Sequence, residues 1–258
     1  MSSLLKDKTA IITGASKGIG LAIAQLFAEE GANVVLTARN ANELNQVVKA
    51  INEKSHQEQA IGVVADVAEK DSVDKVFSAA IKAFNQIDIL VNNAGMGDMT
   101  SIEETTDERL MQILNTNLIS VFRYSRQAIQ HFMTHDNKGT IVNISSVNGN
   151  RPVSGAAYTI SKGAVNTLTK NIAIRFAGTG IRCNAVAPGV TNTPMTSLWE
   201  KSDLKESSMM WDYNKKFANL DLPATEAIDQ AYAALYFASD QSRSTTGQIL
   251  QVCNGSFL

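Results

Sequence analysis

The stretch Thr9-Ala10-Ile11-Ile12-Thr13-Gly14-Ala15-Ser16-Lys17-Gly18-Ile19-Gly20 decides the fold. Its first five residues form an apolar, β-branched run, the pattern of a strand buried on both faces. The glycines open directly into residues 21–30, where apolar side chains recur at helical spacing. Such a turn lets backbone approach a phosphate closely, and the helix N-terminus offers unpaired N–H groups to an anion. Glycine runs are common, so the weight rests on where this one stands: between a strand and a helix.

The same alternation runs outward from it. Apolar runs at residues 33–37, 60–65, 87–91, 139–144, 181–186 and 248–252 alternate with helical patterns at 41–54, 71–84, 108–133, 157–176 and 226–238. Parallel strands covered on both faces by helices satisfy that pattern. A closed eight-unit barrel and an open doubly wound sheet both suit the length. Seven strand runs, and a phosphate-type turn at the first crossover, select the open sheet. No linker, repeat or low-complexity tract interrupts the 258 residues. Residues 1–258 therefore read as one α/β domain: a Rossmann-like, doubly wound, parallel seven-stranded sheet.

Composition bounds the function. Hydrophobic residues make up 44% and charged ones 19%, which excludes a disordered chain. With 23 Lys+Arg against 25 Asp+Glu there is no basic excess for a nucleic-acid partner. No run of about eighteen apolar residues exists to span a membrane, and the first residues lack a signal-peptide core, so a cytoplasmic protein is expected. Cys183 and Cys253 read as reduced, packed thiols. His131 and His135 have metal-ligand spacing but no third ligand. They read as solvated helix residues, and no metal is expected.

The spacing of Gly14, Gly18 and Gly20 after Thr13 resembles that of the short-chain dehydrogenase/reductase family. The resemblance continues in order through Asn92-Asn93-Ala94-Gly95, Asn117, Ser145-Ser146, Tyr158 with Lys162, and Pro188-Gly189 to Thr193. It runs from about residue 8 to about residue 252. It implies a nicotinamide dinucleotide along Gly14, Ser16, Lys17, Gly18, Ile19 and Gly20, with Asp66 and Val67 at the adenine. Asn92, Asn93, Ala94, Gly95, Pro188, Thr191 and Thr193 complete that cofactor site, with Tyr158 and Lys162. NAD-binding members are expected to carry an acid at the end of the second strand; here stand Ala38 and Arg39, with Lys17 in the turn. Two cations and no carboxylate suit a 2′-phosphate, so NADP(H) is the expected cofactor and NAD(H) the second choice.

Tyr158 and Lys162, four residues apart on a helical pattern, share one face. A tyrosine ordinarily titrates near ~10, and a neighbouring ammonium group lowers that value. The resemblance implies that Tyr158 exchanges the proton with the substrate oxygen. Lys162 tunes it and bonds the nicotinamide ribose, a serine polarises the carbonyl, and Asn117 holds a relay water. Ser145 meets the family's usual separation from the tyrosine; Ser146 falls one residue short. The strand-end pattern Asn143-Ile144-Ser145-Ser146 nonetheless favours Ser146, with a shortened loop after it.

Residues 193–222 resemble the family's substrate lid and carry Met195, Leu198, Trp199, Met209, Met210, Trp211, Tyr213 and Phe217. With Met96, Met99, Val147, Asn148 and Arg151 they are expected to wall an apolar or ring-shaped pocket. The expected activity is NADP(H)-dependent hydride transfer to or from a small carbonyl or secondary alcohol. One alternative is reduction of a 3-oxoacyl group on acyl carrier protein, weakened by the lack of a basic residue in Phe176-Ala177-Gly178-Thr179. Another is a catalytically silent NADP-binding sensor or scaffold, against which the intact Asn117, Ser146, Tyr158 and Lys162 stand. Phe122, Phe132, Leu168 and Ile172 look surplus to one sheet face and predict a homo-oligomer. The resemblance implies one interface between the two long helices across a dimer axis and a second through the C-terminal strand, hence a tetramer first and a dimer second. The ending Val252-Cys253-Asn254-Gly255 departs from the family's Asp-Gly-Gly, which weighs on the second interface.

Overall fold

The protein is described by a computed structural model, which covers residues 3–136, 138–196 and 215–258. The strands are β1 (Thr9–Thr13), β2 (Asn33–Ala38), β3 (Ala60–Val64), β4 (Ile89–Asn92), β5 (Gly139–Ile144), β6 (Ile181–Pro188), β7 (Thr191–Asn192), β8 (Thr225–Glu226) and β9 (Ile249–Val252). The helices are α1 (Gly18–Glu29), α2 (Ala41–Ser55), α3 (Ser72–Phe84), α4 (Asp107–Leu114), α5 (Ser120–Met133), α6 (Ala156–Arg175) and α7 (Ala227–Ala238). Seven strands form one parallel sheet in the order β3-β2-β1-β4-β5-β6-β9. This is the Rossmann-like α/β fold expected from the strand–helix alternation.

The two-residue period of the strands builds two cores. Ala10 and Ile12 of β1 pack with Phe27 of α1, Leu44 of α2 and Phe237 of α7 on one face. Ile11 points the other way, into Phe77 of α3, Tyr124 and Phe132 of α5 and Ile172 of α6. Both thiols are buried and unpaired with each other, and burial pushes Cys183 up to about 12.

Three local expectations change. The helical pattern at 108–133 is interrupted by a π-helical turn, Asn115–Ile119, between α4 and α5. The apolar surplus is smaller than it looked: Phe132 is fully buried against Gly139, Ile172 is buried, and Leu168 packs on the core. Of those four, Phe122 alone is exposed, at 47%. His131 is not solvated, because its Nε2 accepts the Ile87 N–H at 3.3 Å and its ring stacks on His135. Burial therefore holds it below the usual histidine value. A short parallel pair, β7 with β8, was not foreseen; two residues per strand give no readable period. Among the described residues no helix is long and apolar enough to cross a membrane.

Candidate active site

The sheet order reverses between β1 and β4, and open α/β sheets take ligands at the carboxyl ends of strands at such a reversal. A cavity of about 730 Å³ opens there. Its floor is the glycine turn. Gly14 has φ +65°, and a Cβ on it would lie 2.8 Å from the Ala94 Cα; a Cβ on Gly20 would strike the Gly14 carbonyl oxygen. Only glycine fits either place. Thr13 Oγ1 accepts the N–H groups of Asn93 (2.9 Å) and Ala94 (3.0 Å), and the Asn93 amide donates to the carbonyls of Thr13 and Gly14. Those bonds fasten the end of β4 to the turn.

Gly14, Ser16, Lys17, Gly18 and Ile19 line the cavity, as do Asn93, Ala94 and Gly95. Gly20 acts behind the wall, by letting α1 start against the turn. Asn92 also stands apart from the cavity. Its amide donates to Ser125 Oγ at 3.1 Å and Asn143 Oδ1 at 2.8 Å, tying β4 to α5 and β5.

At the far end lie Ala38, Arg39, Asp66 and Val67. No acid stands at the end of β2, but carboxylates from beyond β3 and from α2 join the two cations on this wall. Arg39 Nη1 is 3.8 Å from Asp66 Oδ2, and Glu43 joins the wall, its Oε2 accepting the Ser16 hydroxyl at 3.0 Å. Sequence reasoning missed Glu43 because an acid in the first turn of α2 reads as helix-start charge. The available signal was topological: α2 begins at the carboxyl end of β2, on the rim of the crevice.

At the other end Ser146, Tyr158 and Lys162 meet on the wall. Tyr158 sits in the first turn of α6 and Lys162 one turn later, both buried. Lys162 Nζ donates to the Ile144 carbonyl at 2.8 Å and lies 5.7 Å from the Tyr158 ring centre. Burial pulls the lysine down to about 8. Burial likewise pushes Tyr158 up, while a hydrogen bond with Ser146 pulls the other way. Desolvation is the larger of the two influences, so the phenol sits above its ordinary value. Ser146 Oγ accepts from Asn148 N at 3.2 Å and Asn148 Nδ2 at 3.3 Å, which orients it. Ser145 also borders the cavity, but its hydroxyl donates to Asn166 Oδ1 at 2.6 Å.

Asn117 lies in the π-helical turn, a widened turn that aims its amide inward. Its Nδ2 donates to the Met96 carbonyl (2.9 Å) and Ser161 Oγ (3.1 Å), and its Oδ1 accepts the Met96 N–H (2.8 Å). The side chain does not line the cavity; it ties the segment after β4 to α6. A second tie was not foreseen. The Asp98 and Thr100 carbonyls accept the N–H groups of Gly155 and Ala156, and the buried Asp98 carboxylate takes Arg109 Nε at 2.8 Å.

The remaining wall holds Met96, Met99, Val147, Asn148, Pro188, Thr191, Thr193 and Met195. Leu220, within the 193–222 segment, and Phe257, from a C-terminal stretch where spacing offered no cue, also line it. Arg151 does not; it borders a neighbouring depression with residues 215–221. Phe217 is exposed. Leu198, Trp199, Met209, Met210, Trp211 and Tyr213 fall outside the described residues. The β7–β8 pair, with Thr191 and Thr225 hydroxyls 3.0 Å apart, brings together the chain on either side of residues 193–222. Among the described residues, no group of three or more His, Cys, Asp or Glu is placed to hold a metal ion.

A phosphate-type glycine turn at the switch point of a parallel sheet, with a serine, a tyrosine and a lysine converging beside it, defines the class as a Rossmann-type oxidoreductase. Comparison with known proteins narrows the class. The family model described as short chain dehydrogenase matches residues 8–203, and the chain belongs to that family. It is 38% identical over 256 residues to 3beta-hydroxysteroid dehydrogenase 1 of Eggerthella lenta, covering 98% of this chain and 95% of that one. It is 34% identical to a 3-oxoacyl-[acyl-carrier-protein] reductase of Chlamydia trachomatis, covering 99% of each. A crystal structure of 3-ketoacyl-(acyl-carrier-protein) reductase from Brucella melitensis, complexed with NADH, superposes with a TM-score of 0.85 at 30% identity, covering 98% of this chain and 100% of that one.

Proposed function

We propose that the protein is an NADP(H)-dependent oxidoreductase that moves a hydride between the nicotinamide and a carbonyl or secondary alcohol on an apolar, ring-shaped small molecule. The observation that carries this reading is the convergence of Ser146, Tyr158 and Lys162 on the cavity floored by the glycine turn. The cradle fits a dinucleotide, since Gly14, Ser16, Lys17, Gly18 and Ile19 line the cavity at the start of α1, where a helix N-terminus favours phosphate. Lys17 and Arg39 on the wall suit a 2′-phosphate. When bound, the nicotinamide supplies or accepts the hydride.

The chain's own residues supply the rest. Tyr158, protonated in its buried place, gives its proton to the substrate oxygen during reduction and recovers it during oxidation. Ser146, oriented by Asn148, donates a hydrogen bond to the same oxygen as charge develops. Lys162 holds a positive charge beside the phenol and offers its ammonium group to the ribose. Asn117, its amide committed to Met96 and Ser161, is read as positioning these groups.

Met96, Met99, Val147, Met195 and Phe257 make the substrate wall apolar, which favours a ring-shaped alcohol or ketone of the kind named for the hydroxysteroid relative. A panel of ketosteroids and 3-oxoacyl thioesters, followed by NADPH fluorescence, tests the choice. Turnover of a cyclic ketone well above the thioester supports it, and turnover of thioester alone overturns it. The thioester reading gains one observation: Arg175, exposed in the last turn of α6 and stacked over Phe176, is a basic residue just before the stretch that lacked one. Arg175→Glu should then slow carrier-protein substrates selectively. Absence of any turnover, with NADPH bound, would favour the sensor reading.

A further inference from the structure

We propose that Glu43 is a specificity-determining residue for the cofactor, acting as a built-in carboxylate that opposes the 2′-phosphate of NADP(H). The inference rests on the nicotinamide reading of the cavity above. Asn40 caps α2 with its side-chain oxygen, accepting the N–H groups of Asn42 (3.0 Å) and Glu43 (3.2 Å). Glu43 therefore holds the place from which an acid ordinarily reaches back to the cap residue's own N–H. Here the carboxylate crosses to the glycine turn instead and takes the Ser16 hydroxyl at 3.0 Å. Glu43, Ser16, Lys17 and Arg39 all border the same end of the cavity.

Two consequences follow from charge and hydrogen bonding. Ser16 is a donor aimed at a protein carboxylate, so a phosphate that recruits it must displace Glu43. Arg39 already faces Asp66 at 3.8 Å, which leaves the two cations matched by two carboxylates. A dianionic 2′-phosphate meets a nearly neutral corner, whereas the ribose hydroxyls of NAD(H) find an acceptor in Glu43. The protein should consequently discriminate between the cofactors less than Lys17 and Arg39 alone would dictate.

Glu43→Gln keeps the side chain's shape and its acceptor oxygen while removing the charge. Dissociation constants for NADPH and NADH are measured by quenching of protein fluorescence, for wild type and variant, at about 0.05 M and about 0.5 M salt. The expected result is NADPH bound at least about threefold more tightly by the variant, NADH changed by less than about twofold, and a smaller difference at high salt. Equal changes for both cofactors, no change for either, or weaker NADPH binding would overturn the proposal. The wild-type arm reports the NADP(H) reading separately: a preference for NADH refutes that reading while the Glu43→Gln ratio still decides this one. Failure of both dinucleotides to bind overturns both.

Discussion

Tyr158 and Lys162 show how one buried pair divides stability from function. Lys162 falls to about 8 from an ordinary 10.5 because burial disfavours its charge. Between those values the unfolded chain binds the extra proton, so stability rises with pH from about 8 to about 10.5; below about 8 the burial cost is fully present. A shift of that size is worth about 3 kcal/mol, whereas leaving the Ile144 carbonyl without its donor costs about 1–2 kcal/mol. Lys162→Met should therefore abolish turnover yet raise the melting temperature at pH 7 by a few degrees, at about 2–4 °C per kcal/mol for a chain of this size. The gain should shrink as pH rises toward 10. A lower melting temperature at pH 7 would contradict the account. The two serines separate as cleanly. Ser146→Ala should cut turnover about 10²-fold or more. Ser145→Ala, which loses a bond to Asn166 inside the protein, should chiefly lower stability, and steady-state kinetics with urea unfolding tell the two effects apart.

At the scale of elements, the strands and most helices were legible because their apolar periods are set locally. The residues that hold those elements in register were not. Asp98 reads as an ordinary loop acid, yet it is buried and fastens the segment after β4, which carries Met96 and Met99, to the start of α6 just ahead of Tyr158. Asn117 stands out in the sequence through the resemblance, but only the π-helical turn reveals that its amide is spent on Met96 and Ser161. The Arg39–Asp66 pair and the Glu43 contact with Ser16 escaped the charge argument because they form across space, not along the chain. The Asp98–Arg109 pair makes a direct test. Arg109→Met leaves the buried Asp98 carboxylate with its Thr100 partners but without its cation and should destabilise by about 3 kcal/mol. Adding Asp98→Asn should recover part of that loss in urea unfolding; a double variant no better than the single one would show that the pair is not coupled.

For the whole molecule, the sheet order and the crevice at its switch point follow from the alternation that begins at Thr9, whereas the outer surface is less predictable from pattern. Phe132 and Ile172 proved to belong to the core, and the apolar groups left outside on α4, α5 and α6 are Met111, Phe122, Met133, Ile160 and Ile174. These support the proposal of a homo-oligomer. Sedimentation at micromolar concentration should give a dimer or larger, and Phe122→Glu should shift it toward monomer; a monomeric wild type would sink the proposal. The account's central claim remains chemical: that this fold brings a protonated Tyr158 to the reacting oxygen. Single-turnover hydride transfer from saturating NADPH to an accepted ketone tests it most directly, comparing wild type with Tyr158→Phe. The variant should bind NADPH within about twofold of wild type and lose at least ~10²–10⁴-fold in the transfer step. Transfer at a near-normal rate would contradict the assignment of Tyr158 as the proton donor.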